Sequence, residues 1–150
     1  MTLFDMSGKV AVVTGSSRGI GRAIATRMAE HGARVVISSR KKQACDEVAN
    51  AINAKAGKQV ALSVAANIST KDDLKNLVEE TNRAFGKIDT LVCNAASNPY
   101  YGPQAGISDD QFRKILDNNI VANTWLIICG TTMLISQVLA TMLLSRIFRN

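Results

Sequence analysis

Thr14-Gly15-Ser16-Ser17-Arg18-Gly19-Ile20-Gly21 decides the reading of this chain. Before it stands Val10-Ala11-Val12-Val13, an unbroken apolar run that predicts a short buried strand over Lys9 to Thr14. Behind it, Ile20 to His31 reads as a helix with Ile20, Ala23, Ile24 and Met28 on one face, stopped by Gly32. A glycine-rich turn between a strand and a helix has a physical use at each glycine. Gly15 makes the turn out of the strand. Gly19 lets backbone come close to a pyrophosphate, and Gly21 lets the helix lie close to the sheet. The helix N-terminus then offers free N–H groups and a positive dipole end to an anion. The strand in front and the helix behind supply the context that a bare glycine pattern lacks.

The same alternation continues outward. Arg34 to Ser38 predicts a second strand. Lys42 to Lys55 predicts a helix with Ala44, Val48 and Ile52 on one stripe, ended by Gly57. Gln59 to Ala65 predicts a third strand. Ser69 and Asp72 suggest a capping box, and Leu74, Leu77, Val78, Thr81 and Phe85 follow at helical spacing up to Gly86. Ile88 to Cys93 predicts a fourth strand and Asn94 to Gly106 a loop. Ser108 and Gln111 suggest a second capping box, opening a long helix with Phe112, Ile115, Leu116, Asn119 and Ile120 inward. Apolar strands alternating with helices make an α/β fold, with a parallel sheet covered on both faces. Right-handed crossovers give a Rossmann-type, doubly wound sheet in the order 3-2-1-4, with its crevice at the carboxyl ends of strands one and four.

Composition narrows the function. A chain of 150 residues holds one domain, and its +6 formal charge is mild. The basic residues are scattered and not interleaved with aromatics, which argues against a nucleic-acid partner. Cys45, Cys93 and Cys129 lie far apart, with neither a disulfide framework nor metal-ligand spacing. No metal is expected. The first residues lack a signal stretch, so a reducing, cytoplasmic compartment is expected, with the peroxisome and the mitochondrion as alternatives.

The spacing T-G-x-x-x-G-x-G resembles that of the short-chain dehydrogenase/reductase family. Cys93-Asn94-Ala95-Ala96 is similar to the family's N-N-A-G segment, with Cys93 for the first Asn and Ala96 for the Gly. Asp117-Asn118-Asn119-Ile120 resembles its helix-four segment, and Asn98-Pro99-Tyr100-Tyr101-Gly102 resembles the carbonyl-reductase-like branch. The resemblance covers about residues 5 to 127. It implies a dinucleotide-binding half over 1–127, truncated after about four strands, and an atypical apolar tail over 128–150. It also implies an oxidoreductase acting on a carbonyl or secondary alcohol. Gly15, Gly19 and Gly21 would seat the pyrophosphate, with Ser17 and Ile20 also among the cofactor-binding residues, and Arg18, Ser39 and Arg40 would meet a 2′-phosphate. Asn67 and Ile68 would lie near the adenine, and Asn94 and Ala95 near the nicotinamide-side ribose. Asn119 matches an Asn of the catalytic group.

An NAD enzyme usually ends strand two with an acid that holds the ribose 2′-hydroxyl. Here Ser39 takes that place, followed by Arg40, and Arg18 stands in the glycine turn. Guanidinium groups suit a 2′-phosphate, so NADP is expected over NAD.

Family members use a Ser and a Y-x-x-x-K pair for proton transfer. Four residues beyond Tyr100 and Tyr101 stand Gln104 and Ala105, so this sequence has no such pair. Ser145 is spaced to imitate the serine, but its surroundings do not resemble the family's. Trp125 to Leu144 carries no charged residue. About 20 apolar residues can span a bilayer, but Thr131, Thr132, Ser136, Gln137 and Thr141 dilute this stretch. A core or interface helix is the expectation, with helix four joining two copies of the chain. Two rival readings are a non-catalytic nucleotide-binding remnant that pairs with a full-length relative, and a membrane-attached fragment.

Overall fold

The computed structural model describes residues 4–131. Along them run β1 (Val10–Thr14), α1 (Gly19–Glu30), β2 (Arg34–Ser39), α2 (Lys42–Ala56), β3 (Ala61–Ala65), α3 (Lys71–Phe85), β4 (Thr90–Val92) and α4 (Asp109–Leu116). A π-helical turn at Asp117–Val121 carries on from α4, and the helix resumes over 122–131. The strands form one sheet in the order β3-β2-β1-β4. All pairs are parallel, with Val12 opposite Val36 and Leu91. This is the doubly wound α/β arrangement that the alternation implied.

The apolar runs explain why the sheet is parallel and covered. Successive side chains of a strand point to opposite faces, so each strand here supplies two cores. Ala11, Val13, Val35 and Ile37 meet Ala25 of α1 and Cys45, Val48 and Ile52 of α2. Val12, Val36 and Val64 meet Leu74, Leu77 and Val78 of α3, with Ala122 and Leu126 from beyond the π turn. Full burial of such a side chain contributes about 1.5–3 kcal/mol. The helices stop where the glycines stand: Gly57 and Gly86 cap α2 and α3 with left-handed φ values of 65° and 78°.

Several expectations need correcting. The α1 face is met in part: Ile24 and Met28 are half-buried against the core, but Ala23 is exposed, Ile20 is 75% exposed, and the buried residues are Gly21 and Ala25. The first turn of α1 stands at the crevice, so its apolar residue faces outward. The Ser69–Asp72 capping box does not form. Thr70 is the N-cap of α3 and has no capping hydrogen bond from its side chain. Asp73 instead accepts the Asn67 N–H at 2.8 Å, and the Ser69 hydroxyl donates to Asn118 at 2.6 Å. The Ser108–Gln111 box does form.

The inward row of α4 is corrected as well. Phe112, Leu116 and Ile120 are exposed, Ile115 and Asn119 are half-buried, and Asn118 is buried. Two adjacent apolar rows compete on this helix, and the sheet takes the one through Asn118, Ala122 and Leu126. Among the described residues no helix is long and apolar enough to cross a membrane. Ser145 and most of the uncharged tail lie outside the described residues.

Candidate functional site

The carboxyl ends of β1 and β4 meet at Thr14, whose side chain is buried. Its Oγ1 accepts the N–H groups of Asn94 and Ala95, both at 3.1 Å, and donates to the Val92 carbonyl at 3.3 Å. One hydroxyl thereby fixes the chain leaving β4 to the chain leaving β1. Asn94 closes the link from the other side. Its Nδ2 donates to the carbonyls of Thr14 at 2.9 Å and Gly15 at 3.3 Å. Ser16 ties the turn to β2: its Oγ donates to the Val13 carbonyl at 2.6 Å and accepts the Ser38 N–H at 2.9 Å. The sequence reading did not single out Thr14 and Ser16 as braces. Short hydroxyl residues flanking a glycine at a buried strand end are the signal that was there to use.

So braced, the turn presents an open face. Gly15 and Gly19 have φ of 68° and 56°, a region costly for other residues. A Cβ at residue 19 would have nothing within 4 Å, whereas one at residue 21 would meet the Gly15 carbonyl oxygen and the Asn94 Nδ2 at 2.5 Å. Gly21 thus serves close packing, and Gly19 borders open space. The N-cap of α1, Arg18, is extended and its side chain makes no cap, and the first turn holds no acidic residue. The first N–H groups of a helix have no partner within it. An anion approaching Gly19 meets those donors and the positive end of the helix dipole.

Ser17 is half-buried within the turn, and Ile20 is exposed beside it. Ser39 ends β2 half-buried, its Oγ 3.1 Å from the Cys45 Sγ. Arg18 and Arg40 are exposed. Neither forms an ion pair among the described residues. The Ala66 N–H donates to the Ser39 carbonyl at 3.0 Å and brings the segment after β3 alongside. There Asn67 accepts the Ser69 N–H at 3.2 Å through Oδ1, and Ile68 is half-buried. Ala95 sits against the turn, its Cα 3.0 Å from the Cβ position of residue 15.

Asn119 lies in the π turn. Its Oδ1 accepts the Ser97 N–H at 3.0 Å and its Nδ2 donates to the Ser97 carbonyl at 2.9 Å. Its carboxamide is therefore spent on anchoring the chain two residues past Ala95. Desolvation raises the Cys93 thiol above its usual value. Among the described residues no cluster of His, Cys, Asp and Glu could hold a metal ion.

The family model described as short chain dehydrogenase matches residues 9–142, a stretch that runs past Ile127. Dehydrogenase/reductase SDR family member 4 from Oryctolagus cuniculus is 43% identical over 117 residues, which make up 78% of this chain and 44% of that protein. Tropinone reductase-like 3 from Erythroxylum coca is 42% identical over 120 residues, 80% of this chain and 46% of that protein. The chain spans less than half the length of these curated relatives.

Among solved structures, a short-chain type dehydrogenase/reductase from Mycobacterium marinum superposes with a TM-score of 0.82 at 30% identity. It covers 91% of this chain and 56% of its own. A metagenomic short-chain oxidoreductase in complex with NADP superposes with a TM-score of 0.78 at 33% identity, over 89% of this chain and 59% of its own. Sheet order, glycine turn and family match agree: the chain belongs to the short-chain dehydrogenase family.

Proposed function

We propose that this chain binds NADP(H) as the cofactor-holding part of an oxidoreductase acting on a small carbonyl or secondary alcohol. The observation that carries the reading is the glycine turn: open at Gly19, uncapped at Arg18, and held to β2 and β4 by Ser16, Thr14 and Asn94. Gly15, Ser17, Gly19, Ile20 and Gly21 would receive the pyrophosphate on backbone N–H groups. Arg18 and Arg40, with Ser39 in place of an acid, would receive the 2′-phosphate. Asn67 and Ile68 would border the adenine, and Asn94 and Ala95 the second ribose. The solved relative in complex with NADP supports the same choice.

When bound, the reduced nicotinamide supplies hydride to a carbonyl carbon. The alkoxide left behind needs a proton, and a positioned acid typically accelerates such a step by about 10²–10⁴-fold. Asn119 has no proton to give at neutral pH, and its carboxamide is already bonded to Ser97. These 150 residues hold no Y-x-x-x-K, so cofactor binding is the part of the reaction proposed for them. The oxidoreductase reading follows the family, and the rival reading is a nucleotide-binding chain without turnover of its own. Following NADPH absorbance with excess dicarbonyl tests this, first with this chain and then with its tail replaced by the C-terminal part of a relative. Activity only in the completed version supports the reading. Equal turnover by both refutes it.

The exposed row Phe112, Leu116 and Ile120 suits pairing with a second copy through α4. β4 has one strand neighbour among the described residues. Sedimentation should therefore find oligomers, and a monodisperse monomer would refute the pairing. Cys45, Cys93 and Cys129 are all free, which suits the reducing, cytoplasmic compartment that completes the reading.

A further inference from the structure

Asn118 is 6% exposed, although Asn is a poor core residue. It is tolerated because its carboxamide is bonded on both sides. Oδ1 accepts the Ser69 hydroxyl at 2.6 Å, and Nδ2 donates to the Ser97 hydroxyl at 2.7 Å. Ser69 follows β3 and Ser97 follows β4, and those strands are the two edges of the sheet that the described residues form. Two outer strands with two between them stand about 14 Å apart at the usual spacing of 4.7–4.9 Å. One buried side chain therefore ties together the loops leaving opposite edges. On one loop stand Asn67 and Ile68, and on the other Asn94 and Ala95.

We infer that Asn118 is a positioning residue that sets the separation of these two loops, and with it the fit of a dinucleotide lying across the carboxyl ends of the strands. The π turn is what makes the clasp. Single π turns inside helices commonly occur at functional sites. Here the turn lets consecutive asparagines grip one residue: Asn118 holds the Ser97 hydroxyl, and Asn119 holds the Ser97 N–H and carbonyl. The two arms differ in strength. Ser97 keeps two bonds if its hydroxyl is lost, whereas the hydroxyl is the bond by which Ser69 reaches the helix. The loop after β3 is the arm that depends on Asn118. The nucleotide part of this inference rests on the cofactor reading above; the clasp itself does not.

Trp125 is the single tryptophan of the chain and lines, with Ile68, Ser69 and Asn118, a cleft of about 370 Å³ behind the clasp. It is a built-in reporter for NADPH binding by energy transfer. The experiment measures backbone hydrogen exchange and NADPH affinity in the parent chain and in Asn118→Leu, Ser69→Ala and Ser97→Ala. Expected is faster exchange over 67–70 in Asn118→Leu and Ser69→Ala. NADPH affinity should fall about five- to tenfold in both, the worth of one hydrogen bond. Ser97→Ala should leave exchange over 96–98 within about twofold of the parent, because Asn119 still holds that backbone.

Should Asn118→Leu fail to fold, the two serine variants decide the matter, since they remove only exposed or half-buried hydroxyls. Unchanged exchange over 67–70 in Ser69→Ala would overturn the clasp. Altered exchange with unaltered NADPH affinity would overturn its role in positioning. A parent chain that binds no NADPH would refute the cofactor reading and the positioning role together, with exchange still deciding the clasp.

Discussion

The Nδ2 of Asn94 stands 2.5 Å from the point a Cβ on residue 21 would occupy, with the Gly15 carbonyl oxygen at the same distance on the turn. The segment after β4, the glycine turn and the first turn of α1 thus meet at a point with no room for one more carbon. Gly21→Ala must displace backbone as well as a side chain. We expect a loss of about 1–3 kcal/mol in stability, and at least tenfold weaker NADPH binding, equivalent to about 1.4 kcal/mol. Chemical denaturation and a fluorescence titration measure the two. Parent-like values for both would show that the contact is slack.

Asn94 matters here as a donor. Asn94→Asp keeps the shape but turns a carboxylate oxygen toward the carbonyls of Thr14 and Gly15, which now receive Nδ2. Two hydrogen bonds become two repulsive contacts, at a cost of about 2–3 kcal/mol. Thr14→Val tests the other brace, since it leaves the N–H groups of Asn94 and Ala95 without the oxygen they share. Its cost should be about 1–3 kcal/mol, read from thermal melts. An unshifted melt in both variants would contradict the account of how the turn is held.

Acid should loosen the β1–β4 pair through Asp89. Its Oδ2 accepts the Val10 N–H at 2.8 Å, with Lys87 at 2.8 Å and Lys9 at 3.8 Å from the carboxylate. Burial works to raise this carboxyl, but the Lys87 hydrogen bond, the Val10 N–H and the two lysine charges outweigh it and hold the group below the usual 3.8. A carboxyl lowered on folding contributes stability above its unfolded value, and that stability is lost as pH falls through the folded one. Melting followed from neutral pH down to about pH 2 should show a smaller acid-induced loss for Asp89→Asn than for the parent. Identical profiles would remove Asp89 from the account.

Much of this fold was legible in the sequence because several local signals agreed. Val10 to Val13, Arg34 to Ser38 and the glycines at 57 and 86 mark strands and helix ends through burial and backbone freedom alone. The Ser108–Gln111 box is as local. What periodicity does not carry is which of two apolar rows a helix turns inward. On α4 it favoured Phe112, Leu116 and Ile120, whereas the sheet takes the row through Asn118. An asparagine reads as a surface residue until its partners, Ser69 and Ser97, are brought to it from loops that leave opposite edges of the sheet. The glycine turn was legible as a candidate site because its geometry is local. Its braces depend on long-range contacts such as Thr14 to Asn94.

Cofactor choice rests on charge. Arg40→Asp removes a guanidinium and places a carboxylate beside Ser39, where a 2′-phosphate would lie. NADPH binding should weaken by about 1.5–3 kcal/mol and NADH binding should change little or improve. Equal losses for the two cofactors would show that Arg40 acts on the fold rather than on the phosphate.

The central claim, that this chain holds NADP(H) on its glycine turn, is tested most directly by titrating NADPH and NADH into the unaltered 150-residue polypeptide and reading energy transfer from Trp125. The account predicts saturable binding of both, with NADPH tighter by at least about tenfold, the effect of one charge-assisted phosphate contact. No saturable binding of either, or tighter binding of NADH, would contradict it.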